Sequence, residues 1–394
     1  MSIKKIIGKV HLWLGLTSGL LVVIISLTGC IYAFQEEIQN MTQPYRFVEA
    51  SDKPYLAPST LRAIAEKELP GKHIHSVGYA DRTDAARVSF YAFEPVEYYY
   101  IVYINPYTGQ VLKAKDMNDD FFRWILDGHF YLWLPPTIGQ PVVATATLVF
   151  VVMMITGIVL WWPRNKAARK QRFSVKWNAR WRRVNYDLHN VFGFYMTWVV
   201  IFIALTGLVW GFQWFAKGAY WAIGGEKSIV YTEPLSDTTK VSAYQQPVDA
   251  LWNQLKQEQV AGGSLEMHFP ASDTSTIEAA LNADKNTYWQ TDYRFYDQYT
   301  LQEVPANHIW GRINQATTAD KIYRMNYDIH TGAVLGLTGK FLAFFASLIA
   351  ASLPITGFMI WWGRKKKQSG SAAKSKKASG VSPTGVNQQQ PAAI

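Results

Sequence analysis

The 394-residue sequence predicts a membrane protein in which a helix–domain–helix unit occurs twice, giving four transmembrane helices and two outer α+β domains. Two observations carry this fold class. The stretch from His11 to Gln35 can be laid without a gap over that from His189 to Gln213. The two share His at the start, Gly at 15 and 193, Leu-Thr-Gly at 27–29 and 205–207, and Phe-Gln at 34–35 and 212–213. Ile155-Thr156-Gly157 with Trp161-Trp162 likewise matches Ile355-Thr356-Gly357 with Trp361-Trp362 at the same internal spacing. Apolarity alone does not reproduce identities at fixed offsets, so the chain holds an internal repeat. Each unit crosses twice, so the halves are parallel repeats about an axis along the membrane normal.

Four segments are long and apolar enough to span a bilayer at 1.5 Å per residue: 11–34, 138–162, 188–215 and 333–362. The 16 Trp and 22 Tyr suit segment ends at the membrane–water interface. The net charge of +10 is explained by topology. Residues 1–10, 163–187 and the tail from Arg364 hold 19 Lys/Arg and one acid, Asp187. The long polar stretches 35–128 and 216–329 hold 10 and 9 Lys/Arg against 14 acids each. Positive pieces stay in the cytoplasm, so both termini are expected inside and both large loops outside. The same distribution argues against a nucleic-acid partner.

The expected organisation is a cytoplasmic N-terminus and first helix (1–34), outer domain one (35–137), helix two (138–162), a basic cytoplasmic loop (163–187), helix three (188–215), outer domain two (216–332), helix four (333–362) and a disordered basic tail (363–394). Outer domain one reads as a helix near 57–69, a strand over 98–104, a turn at Asn105–Gly109 and a short strand at 111–112; domain two echoes it with a helix at 248–256 and a hairpin over 293–304. A single cysteine, Cys30, excludes an intrachain disulfide and a Cys-based metal site. Leu27-Thr28-Gly29-Cys30 imitates a lipoprotein signal, but the same Leu-Thr-Gly recurs before Leu208, which argues for an uncleaved helix.

Four of the eight histidines, His11, His129, His189 and His330, lie at the starts of the four membrane segments. Two share a local signature, Tyr186-Asp187-Leu188-His189 and Tyr327-Asp328-Ile329-His330. The expected topology puts His11 with His189 on the cytoplasmic side and His129 with His330 on the outer side. Two facing imidazoles in a helix bundle are what a six-coordinate haem needs, so two b-type haems are expected, with the four histidines as iron ligands. Gly15 and Gly193, one turn from their histidines, and Gly29 and Gly207, five turns on, are expected to make room for the macrocycles. A lone histidine at a helix end is more often interfacial, and intramembrane Gly and Thr are more often packing residues; the sided pairing weighs against both. Two histidines without Asp, Glu or Cys make a poor bare-metal cage. Lys340, near the outer end of helix four, is read as snorkelling to the surface or, with Arg123 and Arg324, as a partner for haem propionates. No Gly-x-Gly-x-x-Gly or Walker loop is present, which excludes nucleotide chemistry by those devices.

These features resemble the PepSY-associated transmembrane proteins. The resemblance rests on His11 with Thr28-Gly29, Thr156-Gly157 with Trp161-Trp162, Asp328-Ile329-His330-Thr331-Gly332, and the strand–turn–strand Ile104-Asn-Pro-Tyr-Thr-Gly-Gln-Val-Leu112, over about residues 1–365. Some members are inner-membrane ferric-siderophore reductases of the FoxB type. The resemblance implies two periplasmic PepSY-like domains, two b-type haems and reduction of a periplasmic ferric siderophore, with iron leaving as Fe(II). The electron donor, cytoplasmic or quinol, is not readable. The second domain departs from the pattern at Tyr296-Asp297-Gln298-Tyr299-Thr300-Leu301, where the turn glycine is missing. The competing expectations are a haem-free membrane protein that binds a peptide or partner, and a haem relay with another acceptor.

Overall fold

The computed structural model describes residues 2–92, 97–163, 165, 169 and 172–378. Four of its helices are long and apolar enough to cross a membrane: α1 (Ile3–Ala33), α5 (Pro136–Trp161), α6 (Trp181–Gly211) and α11 (Gly336–Ala378). They close in the order α1, α5, α6, α11, with α11 returning against α1. Close approach depends on small residues. A Cβ on Gly19 would sit 3.1 Å from Pro354, and one on Gly211 would sit 2.7 Å from Ala144. Ala346 and Ala350 are buried against Val200, Ala204 and Met154. Helix α1 passes through Cys30 without interruption, and its buried thiol donates to the Phe344 carbonyl at 3.4 Å. The fourth spanning helix continues to Ala378, beyond the expected start of the disordered tail; residues 379–394 and part of the basic loop lie outside the described residues.

The histidine-bearing segments differ from expectation. His129 and His330 do not open the spanning helices. They sit on short helices that precede them, α4 (Phe121–Tyr131) and α10 (Asn326–Thr331). Leu132 and Trp133, at φ 55° and 56°, break the chain between α4 and α5, and Gly332 at φ 83° breaks it after α10. His11 and His189, in contrast, each lie eight residues inside their helices, which begin at Ile3 and Trp181.

The polar stretches form one eight-stranded antiparallel sheet in the order β4-β3-β2-β1-β5-β6-β7-β8. The first four are β1 (Ile74–Tyr79), β2 (Ala86–Ala92), β3 (Tyr98–Ile104) and β4 (Val111–Asp116). The second four are β5 (Ser264–His268), β6 (Thr276–Asn282), β7 (Asp292–Asp297) and β8 (Glu303–Val304). The seam is β1 with β5, in register at Val77 and Met267. Alternation buries Val77, Val88, Phe90, Val102, Leu265, Met267 and Ile277 on one face, beneath α3 (Pro58–Glu68) and α8 (Pro247–Leu255). Full burial of each such side chain is worth about 1.5–3 kcal/mol.

The missing turn glycine does not change the turn. Gly109 takes φ 77° after β3, and Leu301 takes φ 57° at the matching place after β7. Asn105 and Asp297 each accept backbone N–H bonds from the residues two and three further on. The Leu301 side chain is buried in the sheet's core, which offsets its strained backbone.

Candidate functional site

Each of the four intramembrane histidines is seated on a Thr-Gly pair of a neighbouring helix. His11 Nδ1 lies 2.9 Å from Thr156 Oγ1, and His189 Nδ1 lies 2.9 Å from Thr356 Oγ1. His129 Nδ1 lies 3.2 Å from Thr28 Oγ1, and His330 Nδ1 lies 3.0 Å from Thr206 Oγ1. Every one of these hydroxyls donates to a carbonyl of its own helix, so its oxygen is free to accept. The Ile25 and Ile203 carbonyls, each 2.9 Å from their rings, can only accept. Met153 and Leu353 stand at the same offset from Thr156 and Thr356. The proton therefore belongs on Nδ1 of each ring, and Nε2 keeps a free lone pair.

The glycines next to those threonines face the rings. A Cβ on Gly29 would come within 3.1 Å of His129 Cε1, and one on Gly207 within 3.3 Å of His330 Cε1. On Gly357 it would reach His189 at 3.2 Å, and on Gly157 it would reach His11 at 3.5 Å. Gly29 and Gly207 thus make room for the imidazoles themselves. Gly15 and Gly193 instead line a cavity of about 760 Å³ at the end of the bundle far from the sheet. His11, His189, Gly157 and Gly357 line it too. The volume falls within the range of about 300–1,000 Å³ usual for small-molecule and cofactor sites.

At the sheet end, the His129 and His330 rings lie 5.9 Å apart, centre to centre, at 70°. The Trp210 ring is edge-on to His330 at 5.2 Å. The chain therefore brings together the four histidines as two pairs. About 18 residues, or about 27 Å of helix, separate them, from His11 to the Gly29 that seats His129.

Sequence reasoning passed over part of this machinery. The repeated signature is longer than four residues, being Asn185-Tyr-Asp-Leu-His189 and Asn326-Tyr-Asp-Ile-His330. Asn185 Nδ2 donates to the Thr356 carbonyl at 3.1 Å, and Asn326 Nδ2 to the Thr206 carbonyl at 3.2 Å. One side chain locks the helix and the other aims the ring, at the same spacing. Asp328 then accepts from the Tyr288 and Trp289 backbone at 3.1 and 2.9 Å, tying α10 to the loop before β7. Gly157 and Gly357 could have been found by noticing that Thr-Gly occurs in all four spanning segments.

The cationic candidates divide. Lys340 is paired: its Nζ is 2.7 Å from Glu37 Oε1 at 9% exposure, as a buried ammonium requires a partner. Arg324 is buried away from the pair, donating to the Thr291 and Gly311 carbonyls beneath the Tyr293 ring. Arg123 is half-buried, 3.7 Å from Asp127 on its own helix.

A second polar cluster lies on the sheet at its seam. His75 and His268 stack edge-on at 4.6 Å, and His268 lies 3.9 Å from both Glu266 and Glu278. Burial, and then the neighbouring His268, bring the His75 pKa down from 6.5 to about 4.

A search of curated proteins finds no match. The family model for the PepSY-associated TM region matches residues 9–364, which take in most of each spanning helix, both histidine pairs and the whole sheet. The chain is a multi-pass membrane protein that belongs to the PepSY-associated TM family.

Proposed function

We propose that the chain is a duplicated, di-haem reductase of the bacterial inner membrane. It would carry electrons from a cytoplasmic or quinol donor to a ferric siderophore on the periplasmic side, so that iron leaves as Fe(II). The observation that carries this reading is the pair of imidazole pairs at opposite ends of one bundle, each ring with Nδ1 occupied and Nε2 free. A metal–imidazole bond of about 2 Å, and about 1 Å more to the ring centre, put two axial imidazoles about 6 Å apart. The 5.9 Å between His129 and His330 fits that spacing. His11 and His189 fit in another way, by lining one cavity of cofactor size.

Each haem, when bound, supplies a one-electron Fe(III)/Fe(II) couple. The protein's part is orientation. The Thr-Gly seats fix the tautomer and rotation of each ring, and the Nδ1–H bonds to carbonyls raise the donor strength of Nε2. Lys4, Lys5, Lys9, Arg172, Lys176 and Arg364 belong to the far end of the bundle, which supports a cytoplasmic far end and a periplasmic sheet.

The test is the absorption spectrum of the protein purified from haem-supplied cells, before and after dithionite. Two haems per chain are expected. His11→Ala and His189→Ala should remove one and the same haem, and His129→Ala and His330→Ala the other. Absence of a Soret band from the wild type would sink the reading and leave a haem-free binding protein. Reoxidation of the reduced protein by ferric siderophores, but not by the free ligands, would identify the acceptor.

A further inference from the structure

The cavity between His11 and His189 has a composition that selects its occupant. Its walls are aliphatic and aromatic, and no carboxylate is among the described residues lining it. Apart from the two histidines, the ionisable cations among the described residues lining it are Arg172 and Arg364. Both belong to the far end: Arg172 in the chain between α5 and α6, and Arg364 beyond Trp361-Trp362 on α11. Arg172 is held in place. Its backbone carbonyl accepts from Trp161 Nε1 at 3.3 Å, and its Nη1 donates to Asn190 Oδ1 at 3.0 Å. Asn190 is the residue after His189, and its own Nδ2 donates to the Tyr186 carbonyl at 2.7 Å. One guanidinium N–H is thus fixed against the histidine-bearing helix, out of the five that the group carries. Arg364 makes no ion pair with a described residue. Trp161 and Phe194, stacked at 3.7 Å and 9°, give the same cavity a flat aromatic wall.

We propose that Arg172 and Arg364 form a dicationic anchor for a flat, mostly apolar ligand with two carboxylates at one edge. The ligand's body lies between the His11 and His189 rings, and its carboxylates meet the two guanidiniums at the cavity mouth. Guanidinium–carboxylate pairing is favourable there because no acid is among the described residues lining the cavity. Resting on the di-haem reading, this assigns the two arginines to the propionates of the cytoplasmic-side haem, as positioning residues. At the sheet end, Arg324 gives Nη1 and Nη2 to the Gly311 and Thr291 carbonyls.

Two fixed positive charges beside a haem favour its reduced form, so removing them lowers its potential. The experiment is a spectroscopic redox titration of the detergent-purified wild type and of Arg172→Gln, Arg364→Gln and the double variant. His189→Ala identifies which of the two titration steps belongs to this site. The expected result is that only that step moves to lower potential, furthest in the double variant. Arg172→Lys with Arg364→Lys should restore most of the shift, which a merely structural role would not do. In parallel, protein depleted of haem is given haem or its dimethyl ester. The wild type should take up haem at this site at least tenfold more tightly than the ester, and the double Gln variant should take up both alike. Two haem steps in the wild type with variants unmoved and no ester discrimination would overturn this proposal alone. A wild type without haem would overturn the di-haem reading and this proposal together.

Discussion

A single hydrogen atom decides whether each imidazole can sit where it does. At Gly29 the space for a methyl group ends 3.1 Å from the His129 ring, and at Gly157 it ends 3.5 Å from His11. The first contact is too tight without movement, and the second is ordinary van der Waals contact. Gly29→Ala should therefore cost roughly 1–3 kcal/mol, whereas Gly157→Ala should be nearly silent. Melting of the two detergent-solubilised variants checks this, and equal losses would contradict it. His75 supplies a pH dependence. Its pKa is about 4 in the fold against 6.5 unperturbed, so the unfolded chain binds more protons between those values. The contribution is fully present above about pH 6.5 and is lost as pH falls towards 4. Melting temperature should decline over that window, and His75→Gln should flatten the decline. At this scale the four histidines were legible because the repeat selected them from eight. The threonine–glycine seats were visible as letters, but letters do not say whether a small residue faces a lipid, a cofactor or a ring. Arg172 and Arg364 were hidden among the cationic residues of a basic end, where charge count masks position.

Among elements, the lesson lies in the turns. The spanning helices were legible from length and apolarity, but α4 and α10 were not seen as separate helices. Their breaks include Leu132 and Trp133 at positive φ, a conformation that sequence seldom announces in such residues. The turn after β7 was legible as a departure from pattern, yet its geometry is the one that Gly109 makes after β3. The two positions should respond differently. Gly109→Ala places a side chain at φ 77°, 2.8 Å from Ile64 Cδ1, and should destabilise by about 1–2 kcal/mol. Leu301→Gly relieves a similar strain but gives up about 1.5–3 kcal/mol of burial, so no gain is expected. Chemical denaturation followed by tryptophan fluorescence measures both. A stabilised Leu301→Gly would mean that the side chain contributes little to the core.

Across the whole molecule, the two outer stretches read as separate α+β units because nothing in β1 or β5 marks either as a partner for the other. Pairing over so long a separation leaves no local trace, and strands β1, β2, β5 and β6 were not foreseen. The orientation expected from charge can be measured directly. In a Cys30→Ala background, a cysteine at Asp119 on the sheet side should react with a membrane-impermeant maleimide on intact spheroplasts. A cysteine at Lys176 should react only after permeabilisation. The reverse pattern would invert the proposed direction of electron flow.

The seam between β1 and β5 also imposes an order in time. Strand β1 ends at Tyr79 and β5 begins at Ser264, so 185 residues must be made after one before the other exists. At about 5–20 residues per second, that is a wait of about 10–40 s. From Asp116 onward the first four strands stand finished on one side and open along β1, a free edge able to pair with the same edge of another nascent chain. The strand that closes the sheet is thus also what ends this exposure, and a delay between the two halves of the chain lengthens the time during which neighbours can be joined in error.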